Sequence, residues 1–228
     1  MTSDLRRQLI LGAARRCFAR HGFAGTTTRS VAAAAAISEG LLFKHFPTKS
    51  ALYAEILSEE CEADPVLHRL LELEPSTQTL VVLIREMVRH FQAVAETPDQ
   101  QEAERLRLLL SSHLDDGEFA RLIYQKIAGL IGGAFTASWM AAVEAGDAIA
   151  IEGDPMNLFW FAHHTVLMSA VTQLPSTPCL AYGKADDLEQ QLCRFILRGI
   201  GVSEAAIAVH LNCGPLPSVG RQAISESA

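Results

Sequence analysis

The chain is poor in the features that mark secreted scaffolds, metalloproteins and common hydrolases. Its five cysteines are odd in number, and no two form a C-x-x-C pair. That argues against a disulfide framework or a zinc ribbon and fits a reducing compartment, so a cytoplasmic location is expected. There is no H-E-x-x-H, no G-x-S-x-G and no phosphate-binding loop. None of the eight histidines follows a Glu by three residues, so the di-metal bundle signature is absent too. His163 and His164 are adjacent, diverge by about 100° on a helix and cannot chelate one metal together. The expectation is a protein that is not an enzyme and that needs no cofactor and no metal. Nine prolines and fifteen glycines exclude collagen-like and proline-rich architectures.

Secretory and membrane signals are weak as well. The apolar run from Leu9 to Ala14 is cut short by Arg15 and Arg16, too early for a signal-peptide core. The Arg-rich, acid-poor first thirty residues also fit a mitochondrial transit peptide, but they open a longer helical pattern that explains them better. Residues 127–143 and 155–183 lack Asp, Glu, Lys and Arg. They have no flanking basic clusters, so they read as buried bundle helices and no membrane partner is expected.

What the chain does have is apolar content and an uneven charge. Hydrophobic residues make up 49%, enough for a packed core. The net charge of −7 hides a basic N-terminus: residues 1–50 hold eight basic and two acidic side chains, and the remainder holds 11 and 24. A basic segment on an acidic body suggests that one end meets a polyanion.

The hydrophobic period is 3.6 almost throughout, and no strand alternation or internal repeat is visible. Ile10, Ala13, Ala14, Cys17 and Phe18 form one stripe. Gly22 stands where a left-handed cap would end the first helix. Thr26, Thr27 and Thr28 offer caps for a second helix through residues 31–35, and Ser38 for a third over 39–46. Pro47 forbids its continuation, and Thr48 can cap a fourth. A short helix fits between Pro65 and Pro75. Longer ones are expected at about 76–96, 99–114, 117–145, 155–174 and 186–201, with a turn or two over 203–211. Residues 212–228 read as a frayed tail. The fold class is all-α.

Residues 27–46, TTRSVAAAAAISEGLLFKHF, have the anatomy of a helix-turn-helix. One short helix braces the DNA backbone and the next enters the major groove by its N-terminus. The stretches ILGAARRCFARHGFAGTTTRSVAAAA and ISEGLLFKHFPTKSALYAEIL resemble the DNA-binding domain of the TetR family of bacterial transcriptional regulators. The likeness is close over about a quarter of the chain. It implies an N-terminal three-helix DNA-binding domain over residues 1–63, and a helical effector-binding and dimerisation domain over 64–211. It also implies a homodimer on a double-stranded, palindromic operator, released by a small effector, most often in repression. DNA contacts are implied at Thr27, Thr28, Arg29, Ser38, Glu39, Gly40, Phe43, Lys44, His45 and Lys49. Two positions depart from the family: Phe43 where Tyr is usual, and Ala36 where the turn usually has Gly. If Ala36 keeps a positive φ, the strain is about 1 kcal/mol. Glu39 either accepts from a cytosine amine or serves as favourable charge at a helix N-terminus.

For the body, an apolar pocket with a few polar groups is expected from Phe91, Arg105, His113, Trp139, Met140, Phe159, Trp160, His163, His164 and Met168. That inventory suits a mostly apolar ligand with one polar or anionic group. Ordinary core is the competing reading for any one of these aromatics. Gly129, Gly132 and Gly133 suggest close helix approach, a kink or room for a ligand. An architectural DNA-binding protein without a ligand, or a helical enzyme without a known motif, is the alternative. The acidic body speaks against DNA wrapping.

Overall fold

A computed structural model describes residues 2–62, 64–96, 100–174, 180, 182 and 185–212. Eleven helices account for most of them: α1 (Ser3–Gly25), α2 (Thr28–Ala34), α3 (Glu39–His45), α4 (Lys49–Glu62), α5 (Pro65–Leu71), α6 (Thr77–Glu96), α7 (Gln100–Leu114), α8 (Glu118–Glu144), α9 (Pro155–Val171), α10 (Ala185–Gly199) and α11 (Glu204–His210). Extended pairing among the described residues is a single bridge between Ala148 and Val202. The expected tail, apart from Asn212, lies outside the described residues.

Local chemistry sets the helix starts. The Thr27 hydroxyl accepts from Ser30 N while the Ser30 hydroxyl accepts from Thr27 N, a reciprocal capping box for α2. Ser38 caps α3 through Leu41 N, Thr48 caps α4 through Ala51 N, and Ser203 caps α11 through Ala206 N. Asp64 and Asp154 cap α5 and α9, each followed by a proline in the first turn.

The end of α1 differs from the expectation. Gly22 has φ 66° but ψ 178°, so it kinks the helix, and a further turn runs to Gly25. Thr26 does not cap the start of α2 but closes the end of α1: it is buried, its N–H donates to the Phe23 carbonyl at 3.3 Å, and its hydroxyl donates to the Gly22 carbonyl at 2.7 Å and the Cys17 carbonyl at 3.1 Å.

The body is organised around α6, which packs on α8, α9 and α10. Helix α8 is the one described helix long and apolar enough to cross a membrane, and it packs against α4, α6, α7 and α9. Its Gly132 is a close approach: a Cβ there would lie 3.2 Å from Met156 Sδ on α9. Gly129 and Gly133 have open space instead. One hydrophobic core runs from Ile10 in α1 to Ile207 in α11. The N-terminal helices therefore share packing with the body, through a tilted aromatic group of Phe18, Phe23, Tyr53 and Phe119.

Candidate functional site

The face that could meet DNA is built by α2, the turn after it and α3. Ala35 N and Ala36 N close the last turn of α2 on Val31 O and Ala33 O, and Ile37 N returns to Ala32 O. Ala36 has φ 53°, the one described non-glycine residue with positive φ. The turn thus keeps its left-handed backbone and carries the strain of a Cβ there. Helix α3 anchors itself with Leu42 and its cap residue Phe46, both buried. Its other side turns Gly40, Phe43 and Lys44 to solvent, with His45 half-buried. Phe43 is 44% exposed, a large apolar ring turned toward solvent. A Cβ at Gly40 would meet nothing within 4 Å, so the helix start is open to close backbone approach. Thr27 and Arg29 are exposed beside it.

Residues 10–56 match the model of bacterial regulatory proteins of the tetR family. These residues form a TetR-family DNA-binding domain. The HTH-type transcriptional repressor AcnR of Corynebacterium diphtheriae is 36% identical over 87 residues, 38% of this chain and 42% of that protein. AcnR of Corynebacterium efficiens is 35% identical over 114 residues, 50% and 53% of the two chains. The chain thus spans about half the length of the curated relatives it matches. The fold likeness reaches further. The structure of RolR with resorcinol aligns with a TM-score of 0.63 at 17% identity, covering 94% of this chain and 96% of that one. Thermus thermophilus FadR with lauroyl-CoA, a TetR-family repressor, gives 0.63 at 21%, covering 93% and 99%.

Within the TetR domain, the two lysines behave differently. Lys44 is exposed on α3. Lys49 turns inward: its ammonium donates to the Phe23 carbonyl at 2.9 Å and the Thr26 carbonyl at 3.1 Å, and sits 4.1 Å from the Phe23 ring centre. Burial lowers its pKa. It closes the end of α1, where helix carbonyls lack partners. Glu39 also has a partner within the fold, because the Thr28 hydroxyl donates to its Oε1 at 2.6 Å. The starts of α2 and α3 are tied together there, and the carboxylate sits in the first turn of α3.

Ion pairs connect this domain to the body. Glu55 of α4 takes Arg7 of α1 at 2.5 Å and Lys126 of α8 at 2.8 Å. Burial raises the Glu55 pKa, but the hydrogen bonds and charges of Lys126 and Arg7 outweigh it and hold the carboxyl below its ordinary value. The Thr48 hydroxyl, between α3 and α4, donates to Glu118 of α8 at 2.7 Å.

In the body, six of the expected pocket residues come together. Phe91, His113, Phe159, Trp160, His163 and His164 form one ring cluster drawn from α6, α7 and α9. Its hub is Tyr124 of α8, which sequence reasoning missed. Tyr124 meets His113, Trp160, His163 and His164, with centroids 5.1–5.8 Å apart. Its hydroxyl lies 3.1 Å from His113 Nε2. No spacing along α8 marks it, since the contacts come from two other helices, α7 and α9. Burial lowers the pKa of His163 to about 4, helped by the charges that His164 and His90 would carry. An orphaned group such as its buried Nδ1, which has no hydrogen-bond partner, costs about 1–3 kcal/mol.

The other expected pocket residues are placed elsewhere. Trp139 is buried, its indole N–H donating to the Ile200 carbonyl at 3.0 Å, and so ties α8 to the end of α10. Met140 and Met168 are more than half exposed, on outward faces of their helices. Arg105 is half-buried on α7. The described residues contain no group of three or more His, Cys, Asp or Glu able to hold a metal ion.

Proposed function

We propose that the chain is a homodimeric, effector-responsive transcriptional regulator of the TetR type, working in the cytoplasm as a repressor on a near-palindromic operator. The carrying observation is the division of α3. Leu42 and the cap residue Phe46 lock it into the core, while Gly40, Phe43 and Lys44 stand free to enter a major groove. In this reading Thr27, Arg29 and Lys44 contact phosphate, and Phe43 packs on sugar or a thymine methyl. Ser38 fixes the helix start. Lys49 acts indirectly, by holding the α1 end against the start of α4.

Dimerisation is supported by the outer face of α9 and α10. Phe161, Met168 and Phe195 are 66%, 57% and 65% exposed. Phe161 and Phe195 flank a shallow apolar groove with Thr165 and Gly199. A contiguous exposed apolar face on a regulator marks an interface. A two-fold axis through it would present two copies of α3 to successive grooves. Effector binding favours whichever arrangement of the two α3 helices it binds more tightly.

Selection of bound sequences from a random duplex library, using the purified chain, tests the reading. An enriched inverted repeat that also shifts as a labelled duplex is expected. Enrichment of nothing, or of single strands alone, contradicts it.

A further inference from the structure

Between Asp4 and Glu55 the chain carries eight basic side chains and a single acid, Glu39. That carboxylate sits in the first turn of α3 and is half-buried. Its one hydrogen-bond partner among the described residues is neutral: the Thr28 hydroxyl donates to Oε1 at 2.6 Å. Oε2 has no such partner and is not a buried atom, so it reaches water. Thr28 is itself fixed as the first residue of α2, directly after the Thr27 cap. The side chain thus leans on α2 with one oxygen and keeps the other open. Beside it, a Cβ added at Gly40 would meet nothing within 4 Å.

A carboxylate is the wrong group for a phosphate, because the two charges repel. The tie to Thr28 does not require a charge either, since a neutral amide oxygen accepts the same hydrogen bond. A favourable charge at the start of α3 is the competing role, and it makes no demand on the bound sequence. Base edges do make one. In the major groove the donors are the N4 amine of cytosine and the N6 amine of adenine, while guanine and thymine present acceptors. Adenine carries its N7 acceptor beside the amine, which repels a carboxylate. The neighbouring edge of cytosine is a C–H. A helix that enters the groove by its N-terminus brings its first residues to those edges.

We propose that Glu39 reads one cytosine in each half-site, its Oε2 accepting from the N4 amine, and that Thr28 is the positioning residue that holds the carboxylate for it. The proposal rests on the DNA-binding reading and deepens it from docking to base choice.

Selection from a random duplex library with the full chain, in wild type, Glu39→Gln and Thr28→Val, tests this. The wild-type motif should hold one fixed cytosine per half-site, and changing it should weaken binding about tenfold. Glu39→Gln should move the preference at that position alone from cytosine to adenine, the base an amide pairs with. Thr28→Val should keep cytosine but relax the preference there and nowhere else. A duplex carrying 2-pyrimidinone in place of that cytosine lacks only the N4 amine. It should bind wild type about tenfold more weakly and Glu39→Ala no more weakly, a readout that a purely structural role for the carboxylate would not give. A motif that Glu39→Gln leaves unchanged at every position would overturn the proposal. So would full-strength binding of the 2-pyrimidinone duplex by wild type. Those outcomes leave DNA binding standing, whereas a wild-type chain that enriches no motif overturns the underlying reading as well.

Discussion

In the first fifty residues nearly every helix boundary has a nearby residue that causes it: Thr27 and Ser30 for α2, Ser38 for α3, and Pro47 and Thr48 between α3 and α4. The ring cluster of the body has no such local author. Its members come from α6, α7, α8 and α9, and they meet because those helices share one core. The end proposed to face DNA is thus specified residue by residue, whereas the ring cluster of the body is a by-product of packing. A surface that must fit one fixed polymer can be encoded locally. A pocket is free to vary as long as the bundle closes around it.

The sharpest way to break this comparison is at the proposed dimer face, because the proposed DNA recognition by two α3 helices would depend on body packing. Phe195 is 65% exposed in the single chain, so Phe195→Glu should leave the subunit folded. It should nevertheless give monomers by sedimentation and abolish operator binding. A dimeric Phe195→Glu protein would place the interface elsewhere.

The next effect tests whether the body's ring cluster is a stability element of its own. The unfolded chain protonates His163 near pH 6.5 and the folded chain only near 4. The unfolded state therefore binds more protons across that window. The contribution of the neutral ring is complete above 6.5 and is lost as pH falls toward 4. The loss is at most about 3.5 kcal/mol, counting about 1.4 kcal/mol per unit. Urea denaturation of wild type and His163→Phe across this range should show a slope in the first that is reduced in the second. Equal slopes would mean that His163 titrates normally.

The same contrast explains what could be read in advance. The helical segments, Pro47 as a stop, Ser38 as a cap and a threonine cap among Thr26, Thr27 and Thr28 were visible because each is a short-range effect. Ala36 was legible as a position of strain, and its φ of 53° bears that out. The kink at Gly22 and the burial of Thr26 were not, since both depend on where α1 ends against α4. Lys44 and Lys49 look alike in a list of basic residues. Only the packing shows one facing water and the other filling the end of α1. Tyr124 was invisible for the same reason, and Met140 and Met168 looked like pocket residues because apolar character does not tell which way a helix face points.

The smallest effect sharpens the local half of the comparison. Ala36→Gly relieves the left-handed strain but gives the unfolded chain more freedom, so a net gain of about 0.5 kcal/mol is expected. Thermal unfolding should show a slight rise. A clear loss would mean that the Ala36 methyl contributes contacts that outweigh its strain.

The central claim is that α3 meets DNA with its outward side chains while the neighbouring inward ones only hold the domain together. The most direct measurement is the salt dependence of binding to the selected operator for wild type, Lys44→Ala and Lys49→Ala, alongside their melting temperatures. Lys44→Ala should lower the log–log salt slope by about one and leave melting unchanged. Lys49→Ala should leave the slope unchanged and destabilise the fold by about 1.5–3 kcal/mol, the range for a hydrogen bond involving a charged group. A slope reduced by Lys49→Ala and untouched by Lys44→Ala would contradict the account.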